Sequence, residues 1–378
     1  MLDRKLNILA DENMPQVEAI FSRFGPVTLK PGRDLTPADL QGVDVLLVRS
    51  ITQVNEALLA ESRVKFVGTA TIGTDHIDQS YLASRGIGFS NAPGCNADAV
   101  VEYVLSCLYL VAEQQGFDPK ERTYGIVGVG NVGGRLQRRL QALGYTVLLN
   151  DPPRARSEEG FVSLDHLLKQ ADVICLHTPL TETGEYATQH LIADRELGQL
   201  QDHAIILNAG RGPVIDNDAL LAIGKTRPSL TFILDVWEHE PAVNADLAER
   251  CAIVSPHVAG YSFDGKIRGT FMLYQALCNY LNLPCSESLD HFLPQSELAC
   301  VEQGELTTLE LMQKVFDPRI DDYLLRQTLA LPETEQKQAF DQLRKQYRVR
   351  REFSSLSVSG AKDPSQIEGI GFKLAAKG

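Results

Sequence analysis

From Leu6 to Leu281 the chain alternates short apolar runs with helix-length amphipathic segments. Leu6 to Ala10, Val43 to Val48 and Val64 to Gly68 read as strands, with helices at Met14 to Phe24 and around Asn55 to Ser62 between them. From Asn96 to Gln115 a largely apolar segment without Pro or Gly predicts one long buried helix, bridging two domains. A second series then begins: Tyr124 to Val129, Tyr145 to Asn150, Val173 to His177, Ala204 to Asn208, Phe232 to Asp235 and Ala252 to Val254. These runs are apolar throughout, as strands covered on both faces are. Strand and helix in alternation imply parallel sheets with crossover helices. A helix from Lys266 to Leu281 follows, and Pro284 marks a boundary. Beyond it the chain is richer in charge and Gln, with a helix expected from Glu333 to Tyr347 that puts Phe340, Leu343 and Tyr347 on one face.

With 378 residues, 44% of them hydrophobic, the chain can bury two or three cores. No run approaches the roughly 20 uncharged apolar residues that span a bilayer, and Met1-Leu2-Asp3-Arg4-Lys5 leads straight into a strand, so no membrane association and a cytoplasmic location are expected. Seven cysteines, an odd number with no C-x-x-C pair, suggest reduced thiols rather than a metal site or a disulfide framework. A net charge of −13 argues against nucleic acid as a partner. A small anionic substrate would need a local basic pocket.

Gly128-Val129-Gly130-Asn131-Val132-Gly133 follows an apolar strand and opens a helix that runs through Leu143 and stops at Gly144. In that setting the first glycine permits a tight turn, the second lets backbone approach a pyrophosphate, and the third lets helix pack on strand. Glycines alone could mark an ordinary strand-to-helix turn. Asp151, at the end of the next strand and 18 positions after Gly133, completes a dinucleotide fingerprint. Its carboxylate would accept from a ribose hydroxyl and repel a 2′-phosphate, favouring NAD over NADP. Arg154 and Arg156 could in principle receive that phosphate, but solvent-facing charge is the simpler account. Thr178 and the Ala209-Gly210 pair, at the ends of later strands, are further candidates to line the cofactor.

Three residues then spell a reaction: Arg211, Glu240 and His257, each just past a strand. Taken singly, Arg211 would more often be a surface ion-pair residue and His257 a structural histidine. Together they form a proton acceptor held by a carboxylate, with a guanidinium to fix a substrate carboxylate and polarise a developing carbonyl. His239 competes for the base, but lies between two acids in a loop. Asp235 ends its strand where a carboxylate could accept from a nicotinamide amide.

At these residues the chain resembles the D-isomer-specific 2-hydroxyacid dehydrogenases, from about Leu6 to Leu283. The resemblance implies two doubly wound parallel-sheet domains, a flavodoxin-like substrate domain (1–95 and 258–283) interrupted by a Rossmann NAD domain (96–257), and a C-terminal α+β dimerisation domain (284–378). Four segments are similar to members that act on a phosphorylated 2-hydroxy acid: Arg49-Ser50-Ile51-Thr52, Gly68 to His76, Asn91 to Ala97, and His257-Val258-Ala259-Gly260-Tyr261-Ser262. On that likeness Ser50, Thr71 and Tyr261 would contact substrate, and Asp151, Thr178, Ala209, Asp235 and Gly260 would contact NAD. Arg49 is a candidate for the phosphate. The basic group Arg344, Lys345, Arg348, Arg350 and Arg351 is expected to be a solvated face, the alternative being an approach to a neighbouring subunit's substrate. The expected protein is thus a homodimeric oxidoreductase. A 3-phosphoglycerate dehydrogenase and an NAD(H)-sensing binding module are the alternatives.

Overall fold

In the computed structural model, which describes residues 4–295, 300–302 and 306–375, the two series of apolar runs become two parallel sheets in two units. Residues 1–96 and 262–295 make the first unit, and 97–261 and 296–378 the second.

The first unit holds strands β1 (Ile8–Asp11), β2 (Val27–Lys30), β3 (Val45–Val48), β4 (Phe66–Thr69) and β5 (Gly88–Ser90). Their order, β2-β1-β3-β4-β5, is flavodoxin-like and every pairing is parallel. The central strands β1, β3 and β4 are buried along their length. The edges β2 and β5 are not, and the apolar pattern did not reveal them: Val27-Thr28-Leu29-Lys30 has no sustained run and Gly88-Phe89-Ser90 only one large apolar residue. The helix Phe263–Tyr280 begins three residues before the expected Lys266, because the Ser262 hydroxyl accepts from the Gly265 N–H and caps it. It buries Ile267, Phe271, Leu273, Tyr274 and Leu277 in the core that contains Ile8, Val45 and Phe66. Leu289, Phe292 and Leu293 pack on that same core.

The second unit holds β6 (Thr123–Val127), β7 (Thr146–Asn150), β8 (Val173–Leu176), β9 (Ile205–Asn208), β10 (Thr231–Leu234) and β11 (Ile253–Val254), all parallel. The order is β11-β10-β9-β8-β6-β7. It reverses at β6, which pairs with β7 on one side and β8 on the other, so the loops after β6 and β8 open a crevice where ligands of such sheets bind. Strands β8, β9 and β10 are buried throughout, each large side chain contributing roughly 1.5–3 kcal/mol.

The C-terminal segment is grouped with the second unit by its contacts. The tail forms the helices Thr308–Val315, Pro318–Leu329, Glu333–Lys345 and Pro364–Ile370, and a three-stranded parallel sheet, β12 (Cys300–Glu302), β13 (Ser357–Ser359) and β14 (Lys373–Leu374). Met312, Phe316, Phe353, Leu356, Val358 and Ile370 share one apolar core with Tyr103, Val104 and Leu108 of the helix Ala97–Gln115 and with Ile126 of β6. That continuous core packs the tail on the nucleotide-binding unit, with Ala97–Gln115 as one of its core elements. Among the described residues no helix is long and apolar enough to cross a membrane.

Candidate active site

Six loops at the C-terminal ends of β6 to β11 carry the predicted cofactor and catalytic residues of the second unit. After β6, Gly128 has φ +85°, and a Cβ there would lie 2.8 Å from the Thr178 nitrogen; one on Gly133 would lie 2.1 Å from the Gly128 oxygen. Neither position admits another residue without rearrangement. Gly130 is different: a Cβ there meets nothing within 4 Å, leaving open ground at the N-terminus of the helix Asn131–Ala142, where Asn131 and Val132 make the first turn. An anion is stabilised at such a terminus by unpaired N–H groups and the helix dipole.

Asp151 does more than the fingerprint implies. Its Oδ2 accepts from the Val129 N–H at 2.8 Å and its Oδ1 from the Arg154 N–H at 3.3 Å, tying the end of β7 to the glycine loop. With Gly128 and Thr178 it lines a cleft of about 770 Å³. Thr178 Oγ1 is buried without a partner, a hydroxyl that a bound nucleotide would satisfy. Arg154 pairs with Glu158 and Arg156 with Glu185, so both guanidiniums that could have read a 2′-phosphate are already compensated. The residues present fit NAD. Next to Thr178, His177 has both ring nitrogens unpartnered, and burial depresses its pKa to about 4, keeping it neutral.

The loop after β11 carries His257 at φ +58°, a left-handed conformation that costs a non-glycine residue on the order of 1–3 kcal/mol. Asp235 holds it there. The Asp235 carbonyl accepts from the His257 N–H at 2.7 Å, and its Oδ1 accepts from the Ser255 hydroxyl (2.6 Å) and the Val258 and Ala259 N–H groups (2.8 and 3.1 Å). Burial raises the Asp235 carboxyl pKa, against the nearby His257 charge and these bonds. Its expected place was at the nicotinamide amide; here its Oδ1 is committed to building the His257 loop, while among the described residues Oδ2 accepts from the Ala259 N–H at 3.1 Å.

His257 Nδ1 lies 2.8 Å from Glu240 Oε2, and Glu240 Oε1 accepts from the Trp237 N–H at 2.9 Å. Burial works against ionising Glu240; the His257 hydrogen bond and charge, the Trp237 N–H and the Arg344 charge outweigh it and hold its pKa below the ordinary carboxyl range. An ionised Glu240 makes Nδ1 the donor, which leaves Nε2 as the acceptor of the ring. Arg211 follows β9. The Asn208 side chain fixes its backbone, donating to the Arg211 carbonyl at 3.0 Å and accepting from the Gly210 N–H at 3.0 Å. A Cβ on Gly212 would fall 1.9 Å from the Trp237 carbonyl oxygen, so glycine is required where the Arg211 and Glu240 loops meet. The Arg211 guanidinium is exposed, and among the described residues it donates only to the carbonyl of Gly210 (2.8 Å).

Asn208 and Trp237 escaped the sequence reading. The one local signal was an Asn between an apolar strand and a Gly, where a side chain often bonds its own turn.

Ala209, Gly210 and Gly260 lie on these same loops. Tyr261 meets Arg344 (Nη2 to Oη, 3.4 Å) and the edge of the Tyr347 ring at 5.5 Å. Arg49, Ser50 and Thr71 belong to the first unit, following β3 and β4. Ser50 is exposed, and the Thr71 hydroxyl donates to the Gly73 carbonyl at 3.0 Å. The basic tail cluster is not the solvated face expected. Arg350 is 2% exposed and donates to the carbonyls of Ala259 (2.9 Å) and Ala99 (2.7 Å), and Arg348 pairs with buried Asp321. These guanidiniums supply donors to buried carbonyls and, together with the Tyr347 hydroxyl, to the buried Asp321 carboxylate.

An imidazole with a carboxylate behind it, a guanidinium with donors to spare and a nucleotide cradle along one sheet edge make this unit an NAD-dependent dehydrogenase. Residues 110–259 match the family model described as the D-isomer specific 2-hydroxyacid dehydrogenase NAD-binding domain, and residues 292–371 that of a domain of unknown function. The chain is 49% identical over 382 residues to an erythronate-4-phosphate dehydrogenase of Marinobacter nauticus, covering 97% of this chain and 99% of that one. It is 48% identical over 380 residues to the erythronate-4-phosphate dehydrogenase of Proteus mirabilis, covering 98% and 100%. Among solved structures, D-2-hydroxyisocaproate dehydrogenase superposes with a TM-score of 0.61 at 23% identity, over 74% of this chain and 98% of that one, a likeness of fold. The chain belongs to the erythronate-4-phosphate dehydrogenase family of D-isomer-specific 2-hydroxyacid dehydrogenases.

Proposed function

We propose that this protein oxidises 4-phospho-D-erythronate to 2-oxo-3-hydroxy-4-phosphobutanoate with NAD, as a step of pyridoxal 5′-phosphate biosynthesis. The observation that carries the chemistry is the 2.8 Å pair of His257 Nδ1 and Glu240 Oε2; the choice of substrate rests on the names of relatives at 48–49% identity. His257 Nε2 takes the proton of the C2 hydroxyl, and Glu240 stabilises the imidazolium that results. NAD, when bound, supplies the hydride acceptor. Arg211 fixes the substrate carboxylate and polarises the forming carbonyl. We assign substrate contacts to Arg49, Ser50, Thr71 and Tyr261, and cofactor contacts to the glycine loop, Asp151, Thr178, Ala209, Gly210, Asp235 and Gly260.

The active form is proposed to be a homodimer formed through the tail. Ile320, Tyr323 and Leu324 on the helix Pro318–Leu329, and Val349, are exposed large apolar side chains that a second copy would cover. No disulfide joins the six cysteines whose side chains are described, five of them buried, which suits the reducing cytoplasm.

The test is NAD reduction by the whole chain with 4-phospho-D-erythronate and with 3-phosphoglycerate. A kcat/KM at least about tenfold higher for the former is expected, corresponding to about 1.4 kcal/mol of transition-state discrimination. Preference for 3-phosphoglycerate would overturn the substrate assignment, and inactivity with both would leave a binding module.

A further inference from the structure

Arg344, near the C-terminal end of the helix Glu333–Lys345, brings a guanidinium to the catalytic loop of its own unit, and among the described residues no carboxylate pairs with it. Its Nη2 reaches Tyr261 Oη at 3.4 Å, close to the limit of a hydrogen bond, and its Nε is buried with no acceptor at all. Leaving a buried guanidinium donor unsatisfied is unfavourable unless something absent from the free protein completes it.

Three neighbouring cations are spent otherwise. Arg348 serves Asp321, Arg350 the carbonyls of Ala259 and Ala99, and Arg326 Asp322 and the carbonyls of Ala248 and Cys251. The Phe340 ring, its centroid 6.0 Å from the guanidinium carbon, backs Arg344, and the Tyr347 ring stands edge-on to Tyr261. Arg344 also acts on Glu240 through its charge, so it lies within electrostatic reach of the proton-transfer pair.

The proposed substrate carries two anionic ends. Arg211 serves the carboxylate, and a second cation near the same loop is needed for the other end. We infer that Arg344, with the Tyr261 hydroxyl, forms the subsite for the phosphate monoester of the substrate, which makes the tail helix a specificity-determining part of its own chain's active site. The inference rests on the proposed reaction. A guanidinium offers several donors to a phosphate's oxygens, and it need not give up an ion pair first.

Two measurements on the full chain test it, with Arg344→Ala, Arg344→Lys and, for comparison, Arg49→Ala. In the first, kcat/KM is measured for 4-phospho-D-erythronate and for D-erythronate. Arg344→Ala is expected to lose about 10- to 100-fold with the phosphorylated acid, mainly through KM, and less than about threefold with the other. Arg344→Lys should recover part of the loss. In the second, inorganic phosphate is titrated calorimetrically into the NAD-loaded protein; Arg344→Ala should bind it about 10-fold more weakly than the wild type or worse. Equal losses with both acids, unchanged phosphate binding in Arg344→Ala, or a phosphate effect confined to Arg49→Ala would each overturn the subsite. If phosphate binding depends on Arg344 while the wild type fails to oxidise 4-phospho-D-erythronate, the subsite stands and the proposed reaction falls.

Discussion

Replacing Glu240 by Gln changes one atom and should disable the base. Glu240 accepts two hydrogen bonds, Trp237 N–H on Oε1 and His257 Nδ1–H on Oε2. A glutamine has one oxygen. If the amide oxygen stays with the fixed backbone N–H of Trp237, the NH₂ faces Nδ1, which must then become the acceptor. The ring's proton moves to Nε2, the atom that should receive the substrate's. Two costs add: loss of the carboxylate behind the imidazolium, about 1.5–3 kcal/mol for a hydrogen bond to a charged group, and about 1–3 kcal/mol for the mismatched donor. The side chains of His257 and Glu240 are 31% and 21% exposed, so solvent screening favours the lower half of the sum. That corresponds to a kcat lower by about a hundred- to a thousand-fold. Steady-state NAD reduction measures it, with NAD affinity from calorimetry expected to change little, since Glu240 does not line the cleft with Asp151. A loss below about tenfold would refute the tautomer argument, as would a kcat decrease matched by an equal loss of NAD affinity.

Asp235→Ala removes the acceptor of the Ser255 hydroxyl and of two loop N–H groups while leaving His257 in a left-handed conformation; a loss of about 3 kcal/mol or more in urea unfolding is expected, and an unchanged midpoint would show that the loop holds itself. Glu102 is 1% exposed, and burial, then the charge of Glu352, raises its carboxyl pKa well above 4.5; its contribution to stability is therefore complete below about pH 4.5 and lost as pH rises through the folded value. Glu102→Gln keeps an oxygen for the Phe353 N–H and removes that dependence, so its Tm should gain on the wild type progressively as pH rises above about 4.5 in scanning calorimetry, and a constant offset from pH 4 to 8 would contradict the burial argument.

The strands that could be read from the pattern are those whose two faces are both covered. Val45–Val48 and Val173–Leu176 are apolar at every position and Ile205–Asn208 at all but its last, and so they stand out. Val27–Lys30, at a sheet edge, needs them at few and did not. The packing of the tail was hidden for a related reason. Phe316, Phe353, Leu356, Val358 and Ile370 are spread among charged and Gln residues, so the segment looks like a self-contained appendage. Burial against Ala97–Gln115 and β6 collects them into one core, and no local pattern records partners so distant in sequence.

The same asymmetry runs through the site. Arg211, Glu240 and His257 were legible because each follows an apolar strand in a loop stiffened by Gly or Pro, whereas what holds them in place was not, because it depends on residues brought together by folding. Trp237 supports Glu240 from within its own loop, but Asp235 reaches across to Val258 and Ala259, and Arg350 reaches back 91 positions to the Ala259 carbonyl and 251 to that of Ala99. The loop that carries a left-handed His257 therefore has its N–H groups held by the sheet and a carbonyl held by the tail. Neither clamp can substitute for the other, since Asp235 only accepts from these amides and Arg350 only donates. A tail that supplies the missing donor to the loop of the proposed base, and places Arg344 beside Tyr261, is joined to that loop by hydrogen-bond chemistry as well as by packing.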